Sequence, residues 1–223
     1  MRGSGGERYP HAVRATRLVA AATSAALTAA LLAACSSGYR YVKSSSARTY
    51  FKVPSAWKLY NEDTIFRAQS KDVSPEQAAA SKSSQWIVAF DGAPRPLLAH
   101  VLSERSSSPM GFARVRTLSP DERDTFSLAS LRNEVNALDD MSATGDVEPL
   151  LSKEITRPGG LHGTRLIDNV RQNGVWVTFD QTALVDSGTH TLYLLLVGCE
   201  AHCYLAHRKV IDQVVDSWTV KAR

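Results

Sequence analysis

The stretch TRLIDNVRQNGVWVTFDQTALVDSGTHTLYLLLV, residues 164–197, decides the fold. It reads as three strands, Thr164 to Arg171, Val175 to Val185 and Thr191 to Val197, rich in β-branched, aromatic and aliphatic residues. Asn173-Gly174 between the first two is a strong short-range hairpin signal, because a two-residue type I′ turn needs positive φ at both positions. Asp186-Ser187-Gly188 separates the second strand from the third. Turn-linked neighbours of this kind form an antiparallel meander. The run Leu192-Tyr193-Leu194-Leu195-Leu196-Val197 has no polar alternation, so its strand should be central and covered on both faces.

Upstream, Leu151 to Thr156 is a further strand, joined to the meander through Pro158-Gly159-Gly160. Downstream, Glu200 to Asp216 has helical periodicity. Cys203, Tyr204, His207, Val210, Ile211, Val214 and Val215 share one broad face. Ser217-Trp218-Thr219-Val220 is a last short strand.

The N-terminal half alternates short elements. Thr49 to Pro54 is a strand stopped by its proline, Trp57 to Tyr60 is a second extended piece, and Asn61-Glu62-Asp63 is a polar turn. Ser74-Pro75-Glu76-Gln77 opens a short helix with serine at the N-cap and proline at N1. Trp86 to Phe90, Leu97 to Leu102 and Phe112 to Arg116 are strand candidates. Ser119-Pro120-Asp121-Glu122 repeats the helix-start chemistry. Phe126, Leu128, Leu131, Val135 and Leu138 then extend one helical stripe. The fold class is α+β: an antiparallel sheet flanked by helices, in one domain over residues 49–223.

The N-terminus carries a different message. Arg2, Arg8, Arg14 and Arg17 precede an apolar run, Leu18 to Cys35, that ends Leu32-Ala33-Ala34-Cys35. A basic start, an apolar middle and small residues at the end read as an export signal over residues 1–34. The closing tetrapeptide resembles the lipobox of bacterial lipoproteins. That resemblance implies a diacylglycerol on the Cys35 thiol and cleavage just before it. Residues 35–48 then form the lipidated cysteine and a short tether. The expected place is the extracytoplasmic face of the cell membrane, held by lipid, since each buried methylene contributes about 0.8 kcal/mol.

The whole chain holds 26 Lys+Arg and 22 Asp+Glu. Removing four arginines and one glutamate with the signal leaves 22 bases and 21 acids, a net charge of +1. The basicity belongs mostly to the discarded segment. No Lys/Arg-rich run is visible in the mature chain, so nucleic acid is not an expected partner.

With Cys35 assigned to lipid, Cys199 and Cys203 remain. Export favours a disulfide between them, worth about 2 kcal/mol for so small a loop. An i,i+4 pair within a regular helix suits a disulfide poorly, so Cys199 should precede the helix proper. The alternative is an S₂N₂ zinc site with His202 and His207. His100, His162 and His190 are scattered, and there is no Gly-x-Ser-x-Gly segment. Gly159-Gly160-Leu161-His162-Gly163 reads as a bend rather than an oxyanion loop. Asp139, Asp140 and Glu148 read as solvated acids rather than a cation site. Trp57, Trp86, Trp176 and Trp218 read as core. No catalytic residue, metal or cofactor is assigned.

The segment Phe51-Lys52-Val53-Pro54-Ser55-Ala56-Trp57 resembles the opening of PsbP-like domains. Val215-Asp216-Ser217-Trp218-Thr219-Val220 resembles their closing helix and strand. The resemblance implies an α/β/α sandwich, a fold shared by an extrinsic subunit of photosystem II and by lipoproteins of actinobacteria and cyanobacteria. Such a fold is not tied to one activity. The expected role is a non-catalytic binding or accessory module of the cell envelope, with a protein or lipid partner. The alternatives are an envelope enzyme, hydrolase-like, and a carrier of a small apolar ligand, which requires a large apolar pocket between sheet and helix.

Overall fold

The structure, a computed structural model, describes residues 38–69 and 74–221. The expected export signal, residues 1–34, and Cys35 lie outside the described residues. From Tyr39 onward the chain is one compact unit.

The elements in order are β1 (Tyr39–Ser44), β2 (Thr49–Pro54), β3 (Lys58–Tyr60), α1 (Glu62–Gln69), α2 (Pro75–Ser84), β4 (Gln85–Asp91), α3 (Leu98–Leu102), β5 (Met110–Thr117) and α4 (Pro120–Asp124). A 3-10 turn at Ser130–Asn133 follows, then α5 (Leu138–Ala143), β6 (Val147–Arg157), β7 (Leu161–Gln172), β8 (Val175–Val185), β9 (Thr191–Glu200), α6 (Ala201–Asp216) and β10 (Thr219–Val220). Seven strands form an antiparallel sheet in the order β3-β4-β5-β9-β8-β7-β6. A second antiparallel sheet has the order β1-β2-β10.

The meander forms as the sequence indicates. Asn173 and Gly174 both take positive φ, 49° and 79°, as a type I′ turn requires. Strand β9 is the middle strand of seven, and every residue from Thr191 to Cys199 is buried. Its side chains alternate between two cores. Tyr193, Leu195 and Val197 join Phe51, Trp57, Phe90, Ile211 and Trp218 beneath α6 and the small sheet. Leu192, Leu194 and Leu196 face the other way, against Ile65, Val101, Leu131 and Leu138 from the short helices and the 3-10 turn. The large sheet is thus a middle layer covered on both faces, and the α+β class with helices flanking an antiparallel sheet stands.

Five local expectations are corrected. Residues 39–44 are strand rather than tether, so the folded unit starts about ten residues before Thr49: Val42 and Ser44 turn inward while Tyr41 and Lys43 face out. Serines around a short alternating run disguised it. Asn61-Glu62-Asp63 opens a helix, because the Asn61 side chain accepts from the Thr64 N–H at 3.0 Å and caps α1. Leu97 to Leu102 is helix α3 rather than strand; a short apolar run does not by itself separate the two periods. The stripe from Phe126 to Leu138 is not one helix. The chain breaks after Thr125, where the Ser127 and Ser130 hydroxyls bond neighbouring backbone and compete with helix continuation. His207, placed by periodicity on the broad face of the last helix with Cys203 and Ile211, is exposed.

Both Ser-Pro helix starts hold, each with a complete capping box, Ser74 with Gln77 and Ser119 with Glu122. The tryptophans divide: Trp57 and Trp218 are buried, whereas Trp86 and Trp176 are half-buried.

Candidate functional site

Helix α6 lies along one face of the large sheet, and its two flanks differ. Toward β2 and β10 the interface is closed. Toward β6, β7 and β8 a cleft of about 460 Å³ remains, within the size range of small-molecule sites. Its helix wall is Ala201, Tyr204, Leu205 and Arg208; its sheet wall is Leu150, Leu151, Ile167, Asn169 and Thr178.

Local sequence explains the opening. The pairing of β6 with β7 shifts between Pro149 and Leu151, leaving Leu150 as the extra residue of a bulge. Leu150 stays 57% exposed, and Leu205, across the cleft, 73%. An edge strand ends the sheet here, and no element covers it among the described residues.

The polar groups of the cleft are largely satisfied within it. The Thr178 hydroxyl donates to Asn169 Oδ1 at 2.6 Å, and Asn169 Nδ2 donates to Glu148 Oε2 at 3.2 Å. Arg208 stands at the mouth, 3.8 Å from Asp212 and largely exposed. Such a wall accepts an apolar body and leaves one cation for a polar or anionic end.

Behind the cleft lies a buried polar network. Arg165 Nε and Nη2 donate to the two oxygens of Asp180 at 3.0 and 2.7 Å. The Tyr204 hydroxyl donates to Asp180 Oδ2 at 3.2 Å. Arg165 also reaches Asp212 at 3.3 Å and Asp216 at 3.7 Å on α6. Burial pushes the Asp180 carboxyl and the Tyr204 phenol up, while the bond to Asp180 pushes the Arg165 guanidinium up. The bidentate pair joins β7 to β8, and the bonds from it to Tyr204, Asp212 and Asp216 tie α6 to the sheet. Hairpin register explains the arrangement. Arg165 pairs with Thr182 and Ile167 with Asp180, so Arg165 and Asp180 are diagonal neighbours on one face.

The anticipated candidates fall as follows. Cys199 and Cys203 are joined in a disulfide, Cys199 at the end of β9 and Cys203 in the first turn of α6, with Cα atoms 5.9 Å apart. His202 points to solvent, and the His207 ring bonds the Cys203 carbonyl at 2.9 Å. His162 bonds the Gly160 carbonyl at the β6–β7 bend. Asp139 pairs with Arg132 and accepts from Asn133, and Glu148 serves Asn169. Among the described residues no three potential metal ligands converge.

Two clusters escaped the sequence. Asp91, fully buried, accepts from the Ala93 and Leu97 N–H groups and from His100 Nδ1 at 2.7 Å. It thereby pins the loop into α3. On the sheet face under the short helices, Glu134 pairs with Arg114 and Arg116, and Arg116 also holds Glu122 at 2.7 Å. Nearby Glu104 bonds Asn136 and Gln172, and burial pushes its carboxyl above its ordinary value of 4.5.

No family model and no curated protein matches the chain. Solved structures of similar shape exist. The chain is similar to the cyanobacterial PsbP of Synechocystis at 13% identity, covering 83% of this chain and 94% of that one, with a TM-score of 0.49. It is also similar to LpqN, involved in cell envelope biogenesis of Mycobacterium tuberculosis, at 13% identity, 84% and 87% coverage and a TM-score of 0.45. A third is the Ran-binding protein Mog1p of Saccharomyces cerevisiae, at 10% identity, 84% and 97% coverage and a TM-score of 0.42.

Proposed function

We propose that the protein is a lipid-anchored, extracytoplasmic lipoprotein whose single domain is a non-catalytic binding module of the cell envelope. Its binding site is the cleft between α6 and strands β6 to β8, and its ligand is a small apolar or amphiphilic molecule. The observation that carries the reading is the 460 Å³ opening with leucines on both walls and internally paired polar groups. A catalytic site would need a nucleophile and base aimed at a common point; the cleft offers instead an apolar wall and one arginine at its mouth. The anchor rests on the Leu32-Ala33-Ala34-Cys35 sequence.

Two experiments test the two halves. A labelled fatty acid fed to producing cells should enter the parent protein and not Cys35→Ala, which should leave the membrane with its fold unchanged; equal membrane retention contradicts the anchor. Solvent extraction of protein purified from its own envelope should release one class of amphiphile in near-equal proportion to protein. Leu205→Glu should release far less. Extracts without such a molecule, or equal yields from both proteins, contradict the cleft.

A further inference from the structure

The small sheet carries a second surface. Strands β1 and β2 bury Val42, Ser44, Thr49, Phe51 and Val53. Their other face looks outward, and the register there is regular: Tyr41 lies opposite Lys52, and Lys43 opposite Tyr50. Tyr41 is 70% exposed. The Lys52 ammonium also sits 4.9 Å from the Tyr39 ring. Among the described residues neither Lys43 nor Lys52 makes an ion pair. The result is a chequerboard of tyrosine and lysine.

This patch is the centre of a larger charge asymmetry. Residues 36–61 contain Arg40, Lys43, Arg48, Lys52 and Lys58 and no acid. Subtracting those five from the 22 bases of the mature chain leaves 17 against 21 acids, so the remainder carries −4. Of the five, pairing of β1 with β2 brings Lys43 and Lys52 to the outward face, while Arg40, Arg48 and Lys58 flank it at the opposite parity, in the following turn and on β3.

We infer that the outward face of β1 and β2 docks on the anionic headgroup surface of the membrane that holds the lipid anchor. The inference rests on the lipidation of Cys35. Chain length gives the first argument. Three residues, Ser36, Ser37 and Gly38, lie between Cys35 and Tyr39, and the four steps that link them span at most about 14 Å even fully extended. A unit of this size has a radius of gyration of about 16 Å. The start of β1 therefore cannot leave the bilayer by more than a fraction of the domain's width. Chemistry gives the second argument. Tyrosine places an apolar ring and a polar hydroxyl at the headgroup level. Lysines within a Debye length, about 8 Å at physiological salt, are drawn to anionic lipid. The net negative remainder of the domain is repelled by the same surface, which sets the orientation. The cleft, on the flank of α6 away from the small sheet, then stays accessible.

The test uses the lipidated protein, with lipid on Cys35 verified by the mass of its N-terminal peptide. It is placed in vesicles of phosphatidylcholine alone or with an equal part of phosphatidylglycerol. Lysine acylation rates are read residue by residue by mass spectrometry. Lys43 and Lys52 should react about fivefold or more slowly on the anionic vesicles, the factor that one charge-lipid contact supplies. Lys153, on edge strand β6, should react equally on both. High salt should abolish the difference. Equal rates for Lys43 and Lys52 on both vesicles overturn the proposal. Protection seen only in native membranes also overturns it, assigning the face to a protein partner. An unlipidated N-terminal peptide overturns the anchor itself, a separately readable failure.

Discussion

The two flanks of α6 are built by one helix on one sheet, yet they do different things. On the β10 side Trp218 is buried, its indole N–H donates to Thr49 Oγ1 at 2.8 Å, and Phe51, Phe90 and Trp57 pack into the same core. On the β6 side Leu150, Leu151 and Leu205 face each other across open space. Between them the Arg165–Asp180–Tyr204 network holds the helix in place. The contrast teaches that the sealed flank and the network supply the stability that lets the other flank remain open. A cleft lined by leucine would otherwise close by a small shift of the helix, since apolar burial contributes about 25 cal/mol per Å².

Graded substitutions test this division. The largest effect is expected at Trp218→Ala, which removes the most voluminous fully buried side chain; a loss of about 3–5 kcal/mol should appear in urea unfolding. Arg165→Met should come next, at about 3 kcal/mol, because it leaves Asp180 buried without its cation. If it proved neutral, the network would not be what holds α6. Opening the disulfide with Cys199→Ser and Cys203→Ser together should remove about 2 kcal/mol while preserving the meander's hydrogen-exchange protection. On the open flank, Leu205→Glu should alter unfolding by no more than about 0.5 kcal/mol; a large loss there would mean the cleft is part of the core.

Glu104 offers the smallest and most pH-specific test. Burial raises its carboxyl in the folded state, so the folded form holds its proton more tightly than the unfolded form. That contribution to stability is full below about the ordinary value of 4.5 and is lost as pH rises through the higher folded value. Glu104→Gln should therefore flatten the stability profile over that window. An unchanged profile would mean that Glu104 titrates as it does in the unfolded chain.

The parts of the fold legible in the sequence were those where one local rule acts alone. Asn173-Gly174 placed a hairpin, the unbroken apolar run placed β9 at the centre, and the Ser-Pro capping boxes placed two helix starts. The disulfide was expected from the export reading, and Cys199 does stand at the boundary between strand and helix. What was hidden depends on partners distant in sequence. Tyr39–Ser44 is a strand because β2 lies beside it, and Asp91 meets His100 only once α3 folds back. The cleft was anticipated only as a requirement of the carrier reading. Its location depends on a bulge at Leu150, and neither proline nor leucine at those positions marks a missing pairing. The Arg165–Asp180 pair, by contrast, could have been found: the hairpin register set by Asn173-Gly174 makes the two residues diagonal neighbours.

The most direct test is a titration of the domain from residue 36 onward with cis-parinaric acid, a fluorescent fatty acid. The domain carries its core within itself. The account predicts saturable binding at one site, abolished by Leu205→Glu and weakened by Arg208→Gln, with the melting profile of each variant unchanged. Equal binding by parent and Leu205→Glu, or no saturable binding by the folded parent, would contradict it.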